Sequence, residues 1–142
     1  RRLRILAAIR AFRPDVVLSH WINDILHPDH VETTQAVLWA CCYCSAGGIE
    51  TEHEPCGRPS LYCYETTLGT APVAKFFPDV YVDITTVFDR KIQALKKLAA
   101  QPALPEVYEV LGRYRAIESL QMAGMSDCRY AEGFARTGKQ GV

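Results

Sequence analysis

The chain has 142 residues, of which 49% are hydrophobic and 23% are charged, so it can bury a core and is not disordered. Its 16 basic and 16 acidic residues balance, which argues against nucleic acid or an anionic membrane surface as a general partner. The longest apolar run, residues 36–44, is far short of the roughly 20 residues that cross a bilayer, and no signal peptide is visible. We therefore expect no membrane span.

Six cysteines occur, and three of them, Cys41, Cys42 and Cys44, fall within four positions of one apolar segment. Neighbouring side chains on a helix point in different directions, which suits a framework of disulfides poorly. Together with the missing signal peptide, this pattern favours reduced thiols and a cytoplasmic protein.

The first half of the chain predicts a helix, a strand and a second helix. Apolar residues recur at helical spacing over residues 3–12, and Pro14 ends this helix. The β-branched run 16–20 predicts a short buried strand, since turn residues bound it. After a loop over residues 21–26, a long helix is predicted from 28 to about 45, with a proline at its first position. A helix that leads directly into a buried strand is typical of an α/β sandwich.

The second half of the chain predicts two strands and two helices. Strands are expected at 61–64 and at 80–85, and in the latter apolar and polar side chains alternate with period two. Helices are expected from about 86 to 99 and from about 105 to 123, with Gly124 ending the second. The inward face of this last helix is predicted to carry Val107, Val110, Leu111, Tyr114 and Ile117.

Two segments predict no regular structure. Glycines and prolines make residues 66–78 irregular, and the tail after residue 130 ends in a frayed stretch over 138–142. The chain has no internal repeat, low-complexity tract or obvious linker, so residues 1–142 are expected to lie in a single domain.

Two histidines flank a Pro-Asp pair where the loop that leaves the first strand enters the second helix. In an open α/β sheet, ligands bind at the carboxyl edge of the strands, and a helix N-terminus adds positive potential there. His27 and His30 lie three residues apart, on nearby faces of the first helical turn. Asp29 between them can accept from an imidazole N–H and fix its tautomer. Taken alone, a turn that merely caps the helix would also explain this segment.

The order and spacing of several short motifs resemble those of PIG-L/LmbE-like deacetylases. The family's second signature is matched by residues 13–20, Asp24 and the His-Pro-Asp-His sequence at 27–30, and further pieces follow at 78–85 and 130–134. The resemblance covers essentially the whole chain, and the His-Pro-Asp-His and Val-Asp-Ile-Thr elements are its most specific parts. It implies an α/β fold, a Rossmann-like three-layer sandwich with a mostly parallel sheet.

The resemblance also implies an activity, the removal of the acetyl group from an N-acetylglucosamine conjugate. His30 would be a metal ligand, His27 would stabilise the tetrahedral intermediate and protonate the leaving amine, and Asp29 would orient His27. The metal is expected to be Zn²⁺, which would polarise the acetyl carbonyl and acidify a water, although Fe²⁺ or Co²⁺ also suits such donors. Members of the family are often trimers or hexamers, so a homo-oligomer is expected.

Two further residues are candidates for substrate binding. His20 ends the first strand at the same edge as His27, where it either lines the substrate pocket or forms a hydrogen-bonded layer behind it. Asp24 lies in the intervening loop, where it either contacts sugar hydroxyls or caps the loop.

The chain departs from the family pattern at its start. The family's first signature, of the Ala-His-Pro-Asp-Asp type, is absent, and in the family it supplies two metal ligands and the general base. The chain also opens inside a predicted helix rather than at a methionine. We therefore expect the C-terminal portion of a deacetylase domain, truncated at its N-terminus and inactive by itself.

Two other hypotheses stay open. A structural zinc module would use the spacing of Cys41, Cys44, His53 and Cys56, although the first two cysteines sit inside an apolar helix. A non-catalytic relative would keep the fold and bind a sugar or a partner.

Overall fold

The computed structural model describes residues 1–24, 26–66 and 74–137. They form a mixed α/β structure in two units, one made of residues 1–77 with the end of the chain from 134, the other of Pro78–Gly133. Parts of the two segments predicted to be irregular, residues 67–73 and 138–142, lie outside the described residues. Among the described residues, every helix is too short or too polar to cross a lipid bilayer.

The first unit contains two helices and two parallel strands. Helix α1 spans Arg2–Phe12, strand β1 Val16–His20, helix α2 Pro28–Tyr43 and strand β2 Ser60–Tyr64. The two strands are parallel, with Val16 opposite Ser60 and His20 opposite Tyr64. The bounds of strand β1 are confirmed residue for residue, and the ends of the other three elements differ from the predictions by at most two residues. The prediction that β1 is buried is wrong, because Val16 and Leu18 are exposed and only Ser19 is buried.

The core of the first unit lies where α1 packs on α2. Its buried residues are Leu6, Ile9, Ala40, Cys41, Cys44 and Cys56. Arg10 of α1 is also buried, and its guanidinium donates to the backbone carbonyls of Cys44, Ala46 and Ile49. These bonds tie α1 to the C-terminal end of α2, where carbonyls lack partners within the helix.

The second unit contains a strand, a 3₁₀ turn, two helices and the first half of another strand. Strand β3 spans Val80–Asp83, the turn Thr85–Val87, helix α3 Phe88–Leu95, helix α4 Leu104–Ala123 and strand β4 Ala131–Arg136. β3 is shorter than predicted because the N–H of Thr85 donates to the Asp83 carboxylate at 2.8 Å and turns the chain. α3 is also shorter, since the N–H groups of Lys97 and Leu98 bond to carbonyls three residues back. Gly124 ends α4 as predicted, in the left-handed conformation (φ 69°) that glycine adopts without strain.

The inward face predicted for α4 is wrong in part. Val110, Tyr114 and Ile117 are exposed. A Cβ built on the buried Gly112 would lie 3.2 Å from the Phe88 ring and 3.4 Å from the Tyr130 ring, so these rings pack directly on the helix backbone. Small and polar residues carry little hydrophobic signal, and the buried positions of the helix are Gly112, Arg115, Ala116 and Ser119.

Strand β4 makes the sheet mixed. Its last residues, which belong to the first unit, pair antiparallel with β2, with Phe134 opposite Tyr64 and Arg136 opposite Tyr62. The prediction of a mostly parallel sheet is therefore not confirmed. The sequence predicts only a tail here, because the buried side of β4 consists of the small residues Ala131, Gly133 and Ala135.

Candidate metal centre

The junction between β1 and α2 brings three histidines to one place. His20 is the last residue of β1, His27 is the N-cap residue of α2, and His30 lies in the first helical turn. Pro28 begins the helix at a position where no N–H is required, and the His27 carbonyl accepts from the His30 N–H at 2.9 Å. Since β1 is parallel to β2, this junction lies at the edge where open α/β sheets bind ligands.

The Asp24 carboxylate contacts two of these imidazoles. Its side chain is buried, and its Oδ2 lies 2.7 Å from Nδ1 of His30 and 3.3 Å from Nδ1 of His27. Its Oδ1 accepts from the N–H of Leu26 at 3.2 Å, an i→i+2 bond that folds the loop. With Nδ1–H of His30 directed at the carboxylate, Nε2 is the nitrogen that can face a metal, as in carboxylate–histidine–zinc triads.

The three imidazoles are stacked. The ring centroids of His20 and His30 are 4.1 Å apart, with 16° between the ring planes, and those of His30 and His27 are 4.6 Å apart, with 22°. The ring of Tyr64 on β2 lies 5.1 Å from that of His20. Burial lowers the pKa of His20, and His30 lowers it further, whereas Asp29 and Asp24 act in the opposite direction. The stack therefore favours a neutral His20.

This lowered pKa predicts that His20 makes the metal-free fold less stable in acid. The unfolded chain takes up the proton near the ordinary pKa of 6.5, whereas the folded chain takes it up only at a lower pH. The free energy of unfolding should therefore decrease as the pH falls below 6.5, until it has passed the folded-state pKa. We expect His20→Phe to reduce this slope in urea titrations between about pH 5 and pH 8 with EDTA present. Equal slopes for the two proteins would contradict the prediction.

A metal ion would find one oxygen and two nitrogen donors at this junction. Asp24, His27 and His30 each offer one donor atom, and these atoms lie within 4.8 Å of one another. Such a set suits Zn²⁺, and also Fe²⁺ or Co²⁺. In the part of the chain that the structure describes, no other group of three or more such side chains comes close enough to hold an ion. The donor set therefore fits the metal that the resemblance implies.

The cysteine module considered as an alternative is not assembled within residues 26–66, where its four members lie. Cys41, Cys44 and Cys56 are buried in the core, whereas His53 is exposed. Burial raises the pKa of the Cys41 and Cys44 thiols to about 11, which suits neutral side chains packed in an apolar core. These cysteines serve as small hydrophobic side chains, and all six thiols of the chain are free.

The structure brings His20, His27 and His30 together, but it puts a different carboxylate beside them. Asp29 is exposed on the first turn of α2, and the carboxylate that contacts both His27 and His30 belongs to Asp24. Sequence reasoning recognises the loop-capping bond of Asp24 as an option but misses its contact with the imidazoles. The sequence feature that could have predicted this contact is an acidic residue in a short loop directly before a helix that starts with two histidines.

Comparison with models of known protein families finds no match for this chain. Among curated proteins, it is similar to a 4-oxalmesaconate hydratase of Pseudomonas putida, with 29% identity over 133 residues. The alignment covers 92% of this chain and 51% of the hydratase. The chain thus spans about half the length of the curated relative that it matches.

Solved structures share the fold. GalB, the 4-carboxy-2-hydroxymuconate hydratase from Pseudomonas putida, matches with a TM-score of 0.88 and 26% identity, over 99% of this chain and 59% of its own. The conserved protein TT1542 from Thermus thermophilus matches with a TM-score of 0.74 and 25% identity, over 96% and 57%. An N,N′-diacetylchitobiose deacetylase from Pyrococcus horikoshii has the same fold, with a TM-score of 0.64 and 19% identity, over 96% and 50%.

The fold and the site define an α/β protein that carries histidine and carboxylate donors for a divalent metal at the carboxyl end of a strand. Together with the order of the sequence motifs, these relatives support a PIG-L/LmbE-like family for this chain. The relatives that are named for an activity are enzymes, a hydratase and a deacetylase.

Proposed function

We propose that this chain is part of a metal-dependent enzyme that adds water to the carbon–carbon double bond of a small unsaturated keto acid. The observation that carries the proposal is the likeness to the Pseudomonas hydratase, which extends over 99% of the chain with a TM-score of 0.88. The cluster of Asp24, His27 and His30 supports it, because hydration needs an activated water and a mobile proton.

Of the three candidate donors, His30 would hold the metal through Nε2, and Asp24 would orient that imidazole through Nδ1. When bound, a divalent ion supplies a Lewis acid that lowers the pKa of a water from near 16 to about 7. We propose Zn²⁺ as the resident ion, with Fe²⁺ or Co²⁺ as ions that the same donors accept.

His27 is the side chain best placed to move a proton. Its side chain is 47% exposed, against 26% for His30, and the buried Asp24 steadies it through Nδ1. In hydration, the water loses a proton as its oxygen bonds to the carbon β to the carbonyl, the π electrons move to the α carbon, and that carbon takes up a proton. We propose that His27 transfers this proton.

The exposure of the side chains around the site indicates which of them could contact a substrate. His20 is half-buried beside His30, so we propose that its ring lines the pocket, whereas the buried Asp24 supports the imidazoles from behind. The N-terminal end of α2 suits a carboxylate of the substrate, because the first N–H groups of a helix carry a partial positive charge. Asp29 lies exposed on this turn, and we propose that it helps to select how the acid is oriented.

Deacetylation of an N-acetylglucosamine conjugate is the second candidate. The His-Pro-Asp-His sequence at 27–30 and the fold shared with the Pyrococcus deacetylase favour it. In this reaction, water adds to the amide carbon, the C–N bond breaks, and the amine nitrogen takes up a proton that His27 would supply. The same side chains therefore serve both reactions. The single domain, the homo-oligomer and the cytoplasmic location expected from the sequence stay predictions.

A side-by-side assay of the whole encoded protein with Zn²⁺ tests the two activities. Hydration of 4-oxalmesaconate is followed by the loss of ultraviolet absorbance of its conjugated double bond, and deacetylation by acetate release from a panel of N-acetylglucosamine conjugates. We expect hydration, abolished by EDTA and strongly reduced in His27→Ala. Acetate release without hydration would establish the second candidate. If neither reaction occurs in the metal-loaded protein, the non-catalytic relative becomes the better account.

A further inference from the structure

Thr34 lies on α2 one turn after His30 and is completely buried. Its hydroxyl donates to the backbone carbonyl of His20 at 2.9 Å. The buried hydroxyl of Ser19 lies 2.8 Å from the same Thr34 oxygen, and with the Thr34 proton given to His20, Ser19 is the donor. Two hydroxyl groups thus join the last two residues of β1 to the first turns of α2.

This link is bonded to the residue that carries one ring of the imidazole stack. Thr34 follows His30 by four residues, so the two side chains lie on the same face of the helix. The carbonyl that Thr34 holds belongs to His20, whose ring is 4.1 Å from that of His30. The bond therefore sets the separation between the strand that carries one ring and the helix that carries the other.

We propose that Thr34, supported by Ser19, is a positioning residue that places His30 for metal binding. Metal sites require their ligands within about 0.5 Å of the productive geometry, so a small shift of α2 along β1 would be felt at the ion. Loss of the Thr34 hydroxyl leaves the His20 carbonyl without this donor and frees α2 to move. The proposal rests on the metal site of the proposed function.

The competing explanation is that Thr34 only satisfies its own hydroxyl in a packed interior. The variants Thr34→Val and Thr34→Ser separate the two explanations. Valine keeps the shape and removes the hydroxyl, whereas serine keeps the hydroxyl and removes the methyl group. Thr33→Val is the matched control, because Thr33 is the adjacent residue of the same helix and is exposed.

Zn²⁺ affinity, measured by competition with a chromophoric chelator, is the first readout. We expect Thr34→Val to bind Zn²⁺ about 10- to 100-fold more weakly than the wild type, as for other residues that orient a ligand. Thr34→Ser should restore most of the affinity, and Thr33→Val should not change it. Unchanged affinity in Thr34→Val, or equal losses in the valine and serine variants, would overturn the proposal.

The second readout does not need a metal. Long-range ¹⁵N–¹H spectra of the metal-free chain report the His30 tautomer, which the Asp24 contact sets as Nδ1–H. We expect one tautomer in the wild type and in Thr34→Ser, and a mixture in Thr34→Val. If the wild type binds no Zn²⁺, the proposed metal site is wrong. The tautomer spectra then test by themselves whether Thr34 positions His30. Ser19→Ala keeps the Thr34 bond to His20, so it should change the tautomer ratio and the Zn²⁺ affinity less than Thr34→Val does. It is the replacement variant if Thr34→Val does not fold.

Discussion

Replacing His30 by alanine is expected to weaken Zn²⁺ binding about 100-fold or more, because it removes the imidazole that Asp24 orients most closely. Only two candidate donors, Asp24 and His27, would remain, and two protein ligands hold zinc poorly. Competition with a chromophoric chelator at pH 7.5 measures the effect. In the whole encoded protein, activity should be lost together with the metal.

His53→Ala is the matched control for this experiment. His53 is a histidine of the same unit, exposed in a loop and not a member of the candidate metal group. Its removal should leave the affinity of the chain for Zn²⁺ unchanged. If His30→Ala and His53→Ala weaken binding equally, the bound zinc is not at the β1–α2 junction, and the metal-dependent proposal loses its site.

Replacing Arg10 by methionine is expected to cost about 3 kcal/mol or more of the free energy of unfolding. The guanidinium donates to Cys44 O at 3.0 Å, Ile49 O at 2.7 Å and Ala46 O at 2.6 Å, and also to Thr51 Oγ1 at 3.0 Å. Methionine fills much of the same volume but donates nothing, so the carbonyls of Cys44, Ala46 and Ile49, at and just after the end of α2, each lose a donor. Urea denaturation, followed by circular dichroism, measures the loss.

Two further variants serve as controls for the Arg10→Met experiment. Arg4→Met changes an exposed arginine of the same helix and should shift the free energy of unfolding by less than about 0.5 kcal/mol. Arg10→Lys keeps the charge but cannot reach several carbonyls with one planar fork, so it should fall between the wild type and Arg10→Met. A loss in Arg10→Met no larger than that in Arg4→Met would show that the buried guanidinium is not what joins α1 to α2.

The sequence by itself predicts the elements around the site. The run 16–20 is apolar and β-branched, Pro28 marks the first position of a helix, and the histidines at 27 and 30 fall on its first turn. Each of these signals is local, because a few neighbouring residues decide the backbone conformation. Strand β1 and the start of α2 are therefore confirmed to the residue.

The tertiary structure decides which carboxylate meets the imidazoles. Asp29 is adjacent to His30 in sequence but exposed, whereas Asp24, six residues away, is buried against it. The position of the Asp24 carboxylate depends on its burial and on its bond from the Leu26 N–H, and no spacing rule encodes that position. The same reasoning applies to Thr34, whose partner is a backbone carbonyl of another element.

Longer-range packing likewise decides the sheet and the last helix. Strand β4 buries alanine and glycine, and α4 buries Gly112 and Ala116 while Val110 and Ile117 stay exposed. Hydrophobic periodicity detects large apolar side chains, so it has no signal where small residues let strands or rings approach the backbone closely. Local motifs thus predict the family and the two candidate histidines on the first turn of α2. The antiparallel strand, the buried face of α4 and the contacts of Asp24 depend on partners that only the folded chain brings together.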